Sequence, residues 1–322
     1  MYLITGGAGF IGSHLVQELI RYQQDVRVFD NFSSGTRQNL DGMLDRVELI
    51  EGDLRDRAQV QQAMKGVRYV LHQAALRSVP HSVEDPASTN EVNVQGTLNV
   101  LMAAKDAGVQ RVVHASSSSV YGESHLKIQE EDQRPFPISP YAVSKLAGEL
   151  YCRLFSRLYG LETVSLRYFN VFGPRQDPES DYAEVIPRFI LQALRGEPVE
   201  VHGDGLQSRD FTFVTDVVQA NLLAAKAPNV SGEVFNVGSG DTHAVTDIVV
   251  FLSKFLGIDI KCRKTPPRKG DVRRTQADIG KAKRLLGYEV EVEFPVGLAI
   301  TVKHFMAQLP AGAGKLLSEG TR

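Results

Sequence analysis

A tyrosine and a lysine stand four residues apart in Tyr141-Ala142-Val143-Ser144-Lys145. On a helix that spacing puts both on one face, roughly 6 Å apart along the axis. A free phenol ionises near pH ~10 and is a poor base at neutral pH. A fixed ammonium close by favours the phenolate and lowers that value. Such a pair can take a proton from an alcohol while hydride leaves the same carbon. The spacing also arises by chance on many helices, so its meaning depends on its surroundings.

The first of these is Thr5-Gly6-Gly7-Ala8-Gly9-Phe10-Ile11-Gly12, between an apolar strand pattern and an amphipathic helix pattern. In this order Gly6 permits the tight turn and Gly9 lets backbone approach a pyrophosphate. Gly12 allows close helix–strand packing. The helix amino terminus then faces the phosphate charge, with Phe10 and Ile11 in its first turn. Asp30 ends the next strand pattern, where a carboxylate binds the adenine ribose hydroxyls. It also repels a 2′-phosphate, which favours NAD over NADP. Asn31 and Ser33 follow it and join the cofactor set. Asp53 and Leu54 follow a third strand pattern, where a carboxylate could approach the adenine. Ala74, Ala75 and Arg77 follow a fourth, where small residues leave room for cofactor. An N-cap aspartate and a small-residue turn explain these last two clusters about as well from composition alone.

A run of serines, Ser116-Ser117-Ser118-Ser119, opens from a fifth apolar strand pattern. Hydroxyls at that strand end would lie beside a nicotinamide, and one could relay a substrate proton to Tyr141. A polar turn is the plainer alternative.

The elements that must position these groups are legible in the first half. Strand patterns at 2–5, 26–30, 47–51, 67–72, 111–115 and 163–167 alternate with helical patterns at 11–21, 57–64, 88–107 and 140–159. That alternation predicts an α/β chain: a Rossmann-type, doubly wound parallel sheet covered on both faces. From Asn170 onward the pattern is broken by Gly173-Pro174, Gly203-Asp204-Gly205 and Pro266-Pro267, which predicts a smaller carboxy-terminal α/β substrate-binding domain. The expected division is 1–172 for NAD and 173–309 for substrate, with segments near 209–237 able to return to the first domain. Residues 310–322 lack an apolar period and are expected to be a mobile tail.

Composition excludes several classes. The chain has 322 residues, of which 43% are hydrophobic and 23% charged, with a net charge of −2. This is an ordinary globular balance with no general polyanion-binding surface, so no nucleic-acid partner is expected. The two cysteines, Cys152 and Cys262, form no metal-ligand pattern and suit a reducing cytoplasm. No apolar run approaches a membrane span, and the amino terminus reads as a strand. No metal is expected. The eight histidines, His202 among them, show no evident partner and read as structural or exposed.

Glycine motif, Asp30, serine run and Tyr141/Lys145 together resemble the extended short-chain dehydrogenase/reductase superfamily, over nearly the whole chain. Within it the chain is similar to the nucleotide-sugar 4-epimerases acting on UDP-galactose and UDP-N-acetylglucosamine. The most specific match runs from Leu166 to Pro178, with Arg167-Tyr168-Phe169-Asn170 and Gly173-Pro174-Arg175-Gln176 inside it. Gly203-Asp204-Gly205, Ser208-Arg209-Asp210-Phe211, Gly270-Asp271 and Ala277-Asp278 agree. Relatives that dehydrate or decarboxylate a 4-keto sugar carry an acid two residues after the relay hydroxyl. Here Ser119 holds that place and Ser118 precedes it, which argues against both reactions.

The resemblance implies roles. Ser117 is the proton relay, with Ser116 and Ser118 as neighbours on the cofactor and substrate sides. Tyr141 is the base, and Lys145 its electrostatic partner and cofactor-ribose ligand. Phe169 lies near the nicotinamide and Asn170 reaches the substrate pyrophosphate. Arg209 and Arg268 grip the UDP diphosphate, each guanidinium forking onto phosphate oxygens. Either arginine alone could be a surface ion pair, and Arg209 has Asp210 next to it. Asp271 holds the nucleotide ribose. Thr275 occupies a gate position where a small residue leaves room for an N-acetyl group, and the Asp177–Tyr182 stretch leans the same way. The implied enzyme is an NAD-dependent UDP-hexose 4-epimerase passing through a 4-keto sugar, a cytoplasmic homodimer through its two long helices. Competing readings are a UDP-uronic acid 4-epimerase or other NAD-linked sugar-nucleotide oxidoreductase, and a non-catalytic NAD-binding regulatory protein. Intact Ser117, Tyr141 and Lys145 argue against the last.

Overall fold

The computed structural model describes residues 1–124, 126–180, 184–266 and 273–308. The first half builds β1 (Tyr2–Thr5), α1 (Phe10–Arg21), β2 (Val26–Asp30), β3 (Glu48–Glu51), α2 (Arg57–Ala63) and β4 (Tyr69–His72). There follow α3 (Val79–Glu84), α4 (Pro86–Asn90), α5 (Gly96–Asp106), β5 (Arg111–Ser117), α6 (Pro140–Tyr159) and β6 (Glu162–Tyr168). The second half is made of shorter pieces. It runs through β7 (Val171–Phe172), α7 (Val185–Leu194), β8 (Val199–His202), β9 (Ser208–Arg209), β10 (Thr212–Phe213), α8 (Val214–Lys226) and β11 (Glu233–Val237). Next come β12 (His243–Ala244), α9 (Val245–Leu256), β13 (Cys262–Thr265), β14 (Arg274–Thr275), α10 (Gly280–Leu286) and α11 (Phe294–Gln308).

Seven strands form one parallel sheet in the order β11-β6-β5-β4-β1-β2-β3. Alternate residues of each strand serve opposite faces, as the two-residue period requires. Ile4, Val28, Leu71 and Val113 enter one core, with Leu15 of α1 and Val217 of α8. Leu3, Phe29, Val70 and Val112 enter the other, with Val60 of α2, Val100 and Leu101 of α5, and Phe155 of α6. A third core lies in the second half, where Phe172 packs at 5.6 Å from Phe213 and 5.5 Å from Phe294.

A seventh strand, β11, lies within the 209–237 stretch and extends the sheet beyond β6, preceded by α8, which packs on the sheet. Two features depart from the expected layout. The fifth strand runs on to Ser117, so Ser116 and Ser117 are ladder residues paired with Arg167 and Tyr168. The expected helix over 88–107 comprises α4, a π turn over Glu91–Gln95 and then α5, with α3 before it. Helix α6 matches its expected limits: Ser139 caps it by accepting from the Ala142 N–H at 3.1 Å, and Pro140 occupies its first turn. The segment 310–322 lies outside the described residues.

Candidate active site

The sheet's strand order reverses between β1 and β4, and ligands of such sheets bind outside the carboxyl ends of the strands at that point. A cavity of about 530 Å³ lies there, between the β1–α1 turn and Tyr141. Gly6 takes φ +70°, and a Cβ on it would come 2.8 Å from the Ala74 backbone. A Cβ on Gly12 would stand 2.1 Å from the Gly6 carbonyl oxygen. Only hydrogen fits at either place, so backbone lines the cavity floor. Helix α1 begins at Gly9 with no side chain capping its first N–H groups. Together these form a cradle for a pyrophosphate.

Asp30 is buried at the adenosine end. One carboxylate oxygen accepts from the Ala8 N–H at 2.9 Å and the other from Phe32 N–H at 2.8 Å. Burial pushes its pKa up, and the N–H groups oppose that. Asp53 lines the same cavity, where Arg55 grips its two oxygens at 3.0 and 2.8 Å and holds its carboxyl well below the usual range. Asn31 donates to it at 3.0 Å. Phe10, Ile11, Ser33, Leu54, Ala75, Arg77 and Ser116 also line this cavity, so sixteen of the seventeen expected cofactor residues meet there. Phe169 does not; it is fully buried against Tyr121.

Ser117 lines neither this cavity nor its neighbour, but its hydroxyl lies close enough to the Tyr141 phenol to pull that group's pKa down. Ser119 stands behind it, sharing a hydroxyl–hydroxyl bond and donating its N–H to Ser117 Oγ at 3.2 Å. Ser119, two residues after Ser117, is therefore within hydrogen-bond reach of it and holds a hydroxyl in place of an acid. Ser118 opens the 3-10 turn that follows β5 and lines neither cavity.

Lys145 lies 5% exposed, its Nζ 5.8 Å from the Tyr141 ring centre and donating to the Ala115 carbonyl at 2.8 Å. Here the structure corrects a simple expectation. The Tyr141 phenol is shifted up by burial, while Ser117 and Arg77 pull it down; the lysine's own pKa is lowered by burial to about 8. The lysine's charge is spent first on the strand carbonyl. Behind it His72 and His114, with rings 5.5 Å apart, are both pushed down by burial and then by Lys145, His72 to about 3. They are neutral core residues.

Sequence reading passed over two groups. Asn93, inside the π turn, donates to the Leu76 carbonyl at 2.9 Å and accepts from the Leu76 N–H at 2.8 Å. It also donates to Ser144 Oγ at 3.0 Å, tying the β4 loop to α6 between Tyr141 and Lys145. A lone asparagine in a helical stretch gives no sequence signal for this. Arg175 lines the cavity near the glycine turn, and its Nη1 is buried without a hydrogen-bond partner among the described residues. Gly173-Pro174 was readable only as a turn, not as the arm that carries it.

A second cavity, of about 810 Å³, opens toward the carboxy-terminal half and shares Ser33, Ser34, Ala75, Leu76, Arg77 and Asp177 with the first. Asn170 and Arg209 line it. Asn170 donates to the Asp210 carbonyl at 3.3 Å and to Thr275 Oγ1 at 3.4 Å. Asp210 is no surface partner for Arg209. It is fully buried and accepts from Ser239, Gly240 and Ala277 N–H groups at 2.7, 3.0 and 3.1 Å, fixing the strand end that presents Arg209. Arg268 and Asp271 lie outside the described residues.

Comparison with known proteins agrees with this geometry. Residues 2–238 match the NAD dependent epimerase/dehydratase family. The UDP-glucose 4-epimerase of Mycolicibacterium smegmatis is 38% identical over 308 residues, covering 94% of this chain and 97% of that protein. The structure of a UDP-glucose 4-epimerase from Thermotoga maritima with UDP-glucose superposes with a TM-score of 0.92 at 40% identity, covering 96% of this chain and 99% of that one. A UDP-N-acetylglucosamine 4-epimerase from Methanobrevibacter ruminantium, in complex with UDP-N-acetylmuramic acid, gives 0.92 at 40% identity, covering 96% and 98%. On the strength of the family match and the near full-length likeness to its members, the chain belongs to the NAD dependent epimerase/dehydratase family.

Proposed function

We propose that this chain is an NAD-dependent UDP-hexose 4-epimerase, interconverting UDP-glucose with UDP-galactose and UDP-GlcNAc with UDP-GalNAc. One observation carries the choice of reaction. Ser119, two residues after Ser117 and bonded to it, holds a hydroxyl, so no carboxylate stands at that place to divert a 4-keto sugar. NAD, when bound, supplies the hydride acceptor and donor for C4.

The residues divide the remaining work. Tyr141 removes the 4-hydroxyl proton, directly or through Ser117, and returns it after the sugar has turned over. Lys145 holds the ribose from its place on the Ala115 carbonyl. Asp30 holds the adenine ribose and disfavours a 2′-phosphate, while the glycine cradle and Arg175 take the pyrophosphate. Arg209, Asn170, Arg268 and Asp271 anchor UDP, so the sugar itself can be held loosely enough to rotate. Thr275 beside Asn170 leaves the gate small, and the two structural relatives, one bound to UDP-glucose and one named for UDP-GlcNAc, support acceptance of both sugar classes. The main sheet with α8 and β11 forms the cofactor-binding part, and the remainder after β7 the substrate part.

A cytoplasmic homodimer fits the surface. The exposed side of α6 presents Val143, Leu150, Leu154 and Leu158, an apolar stripe suited to a symmetric partner. Both cysteines are free thiols, and no described helix is long and apolar enough to cross a membrane.

The test is an equilibrium assay with each of the four UDP-sugars and no added reductant. Conversion to the C4 epimer without net change at 340 nm is the expected result. Net NADH release, or no turnover of any of the four, would sink the reading.

A further inference from the structure

Tyr141 and Lys145 are two members of a longer row. Glu149 stands four residues on from Lys145, on the same face of α6. It is a buried carboxylate, with its side chain 4% exposed, as is that of its partner Arg167. Arg167 donates Nε to one Glu149 oxygen at 2.9 Å and Nη2 to the other at 2.8 Å. The third bond to this carboxylate comes from Ser116, whose hydroxyl donates at 2.5 Å.

That bond falls at a telling place. Ser116 is the middle residue of the β5 end. Its neighbour Ala115 offers the carbonyl that receives Lys145 Nζ at 2.8 Å, and its neighbour Ser117 lies beside the Tyr141 phenol and pulls its pKa down. Three consecutive strand residues thus meet three consecutive members of the helix row. Ser116 also faces Arg167 across the β5–β6 ladder, so the carboxylate closes a triangle between two strands and the helix. Arg167 in turn lies 4.7 Å over the Tyr121 ring and donates to the Glu131 carbonyl at 3.3 Å, and Tyr121 OH bonds Asn236 of β11 at 2.6 Å. A buried ion pair is seldom worth more than apolar residues of the same volume. What it supplies here is direction: a fixed acceptor for one hydroxyl.

We propose that Glu149, neutralised by Arg167, is a positioning residue of the catalytic centre: through Ser116 it fixes the end of β5, and so the contacts of Ser117 with Tyr141 and of Ala115 with Lys145. It touches neither substrate nor cofactor.

S116A removes one hydroxyl and no charge, so it folds even if E149Q, which leaves Arg167 unpaired, does not. In the S116A crystal structure the Lys145 Nζ to Ala115 carbonyl contact, 2.8 Å in the wild type, is expected to open beyond about 3.5 Å, the limit of a hydrogen bond. An unchanged contact overturns the proposal, and this readout does not depend on which reaction the enzyme performs. The kinetic arm rests on the 4-epimerase reading. S116A is expected to lower kcat ~10-fold with KM for the UDP-sugar within ~2-fold and the bound NAD retained. Where E149Q folds, S116A/E149Q should be no more than ~2-fold slower than E149Q, because both changes cut one path. Wild-type kcat in S116A, losses that multiply in the double variant, or a loss confined to thermal stability would each overturn it.

Discussion

The two halves of the cleft are built on different principles. On the sheet side the charged groups at the strand ends are already committed to the protein: Asp30 to two N–H groups, Lys145 to a strand carbonyl, Glu149 to Ser116 and Arg167. On the other side Arg209 and Thr275 sit on two-residue strands, and Glu200 and His202 on a four-residue one. A preorganised wall suits a step in which charge must develop at a fixed place. A wall of short strands around an anchor suits a substrate that must be released and re-presented. The difference suggests that chemistry is carried by the sheet and recognition by the lobe.

That division can be broken by variants from either side. Tyr141→Phe should lower kcat by roughly 10³-fold, the middle of the range for a proton-transfer group, while the protein still co-purifies with NAD; retained activity would remove the base from the sheet side. Arg209→Ala should raise KM for UDP-sugars roughly 10–100-fold, the worth of a charged hydrogen bond, with kcat little changed. A fall in kcat alone would show that the lobe takes part in chemistry. Gly12→Ala forces a Cβ against the Gly6 carbonyl, and should cost about 1–3 kcal/mol of stability and loosen NAD binding, measured by urea unfolding and cofactor titration.

The smallest effect concerns Lys145, and its sign follows from burial. Its pKa in the folded protein is about 8, below the ordinary 10.5. Between those values the unfolded chain binds more protons, so stability rises with pH, and the penalty of the buried charge is fully present below pH 8. Lys145→Met should therefore unfold at higher temperature than wild type at pH 7, by a few degrees, while losing turnover. The gap should narrow as pH rises from 8 toward 10.5. Equal melting temperatures at pH 7 would mean the ammonium is better solvated than its burial implies.

The same contrast decides what was legible in the sequence. Most strands of the first half announce themselves because both of their faces are buried, which leaves apolar runs such as Tyr2–Ile4 and Tyr69–Leu71 beside glycine and aspartate markers. The cofactor residues follow, since backbone turns and strand ends fix them. The lobe's pairs, β7 with β10 and β9 with β12 and β14, are two residues long and carry no period to detect. Arg209 was reachable only by resemblance. Asp210 looked like its ion-pair partner because adjacency in sequence says nothing of which side chain turns inward. Arg175, Asn93 and Glu149 act across elements far apart in the chain, and no local pattern encodes such a meeting.

The π turn at Glu91–Gln95 gives the fold an arithmetic consequence. Such a turn is an ordinary helix with one residue too many. Deleting a single residue there would yield a more regular helix, and by helix intuition a more stable one. It would also rotate everything on one side of the cut by about 100° relative to the other. Asn93 would no longer face Leu76 and Ser144, and two loops bordering the cofactor cleft would lose their common tie. The irregularity thus works as a length count: the segment tolerates many substitutions, but not a change in how many residues it has.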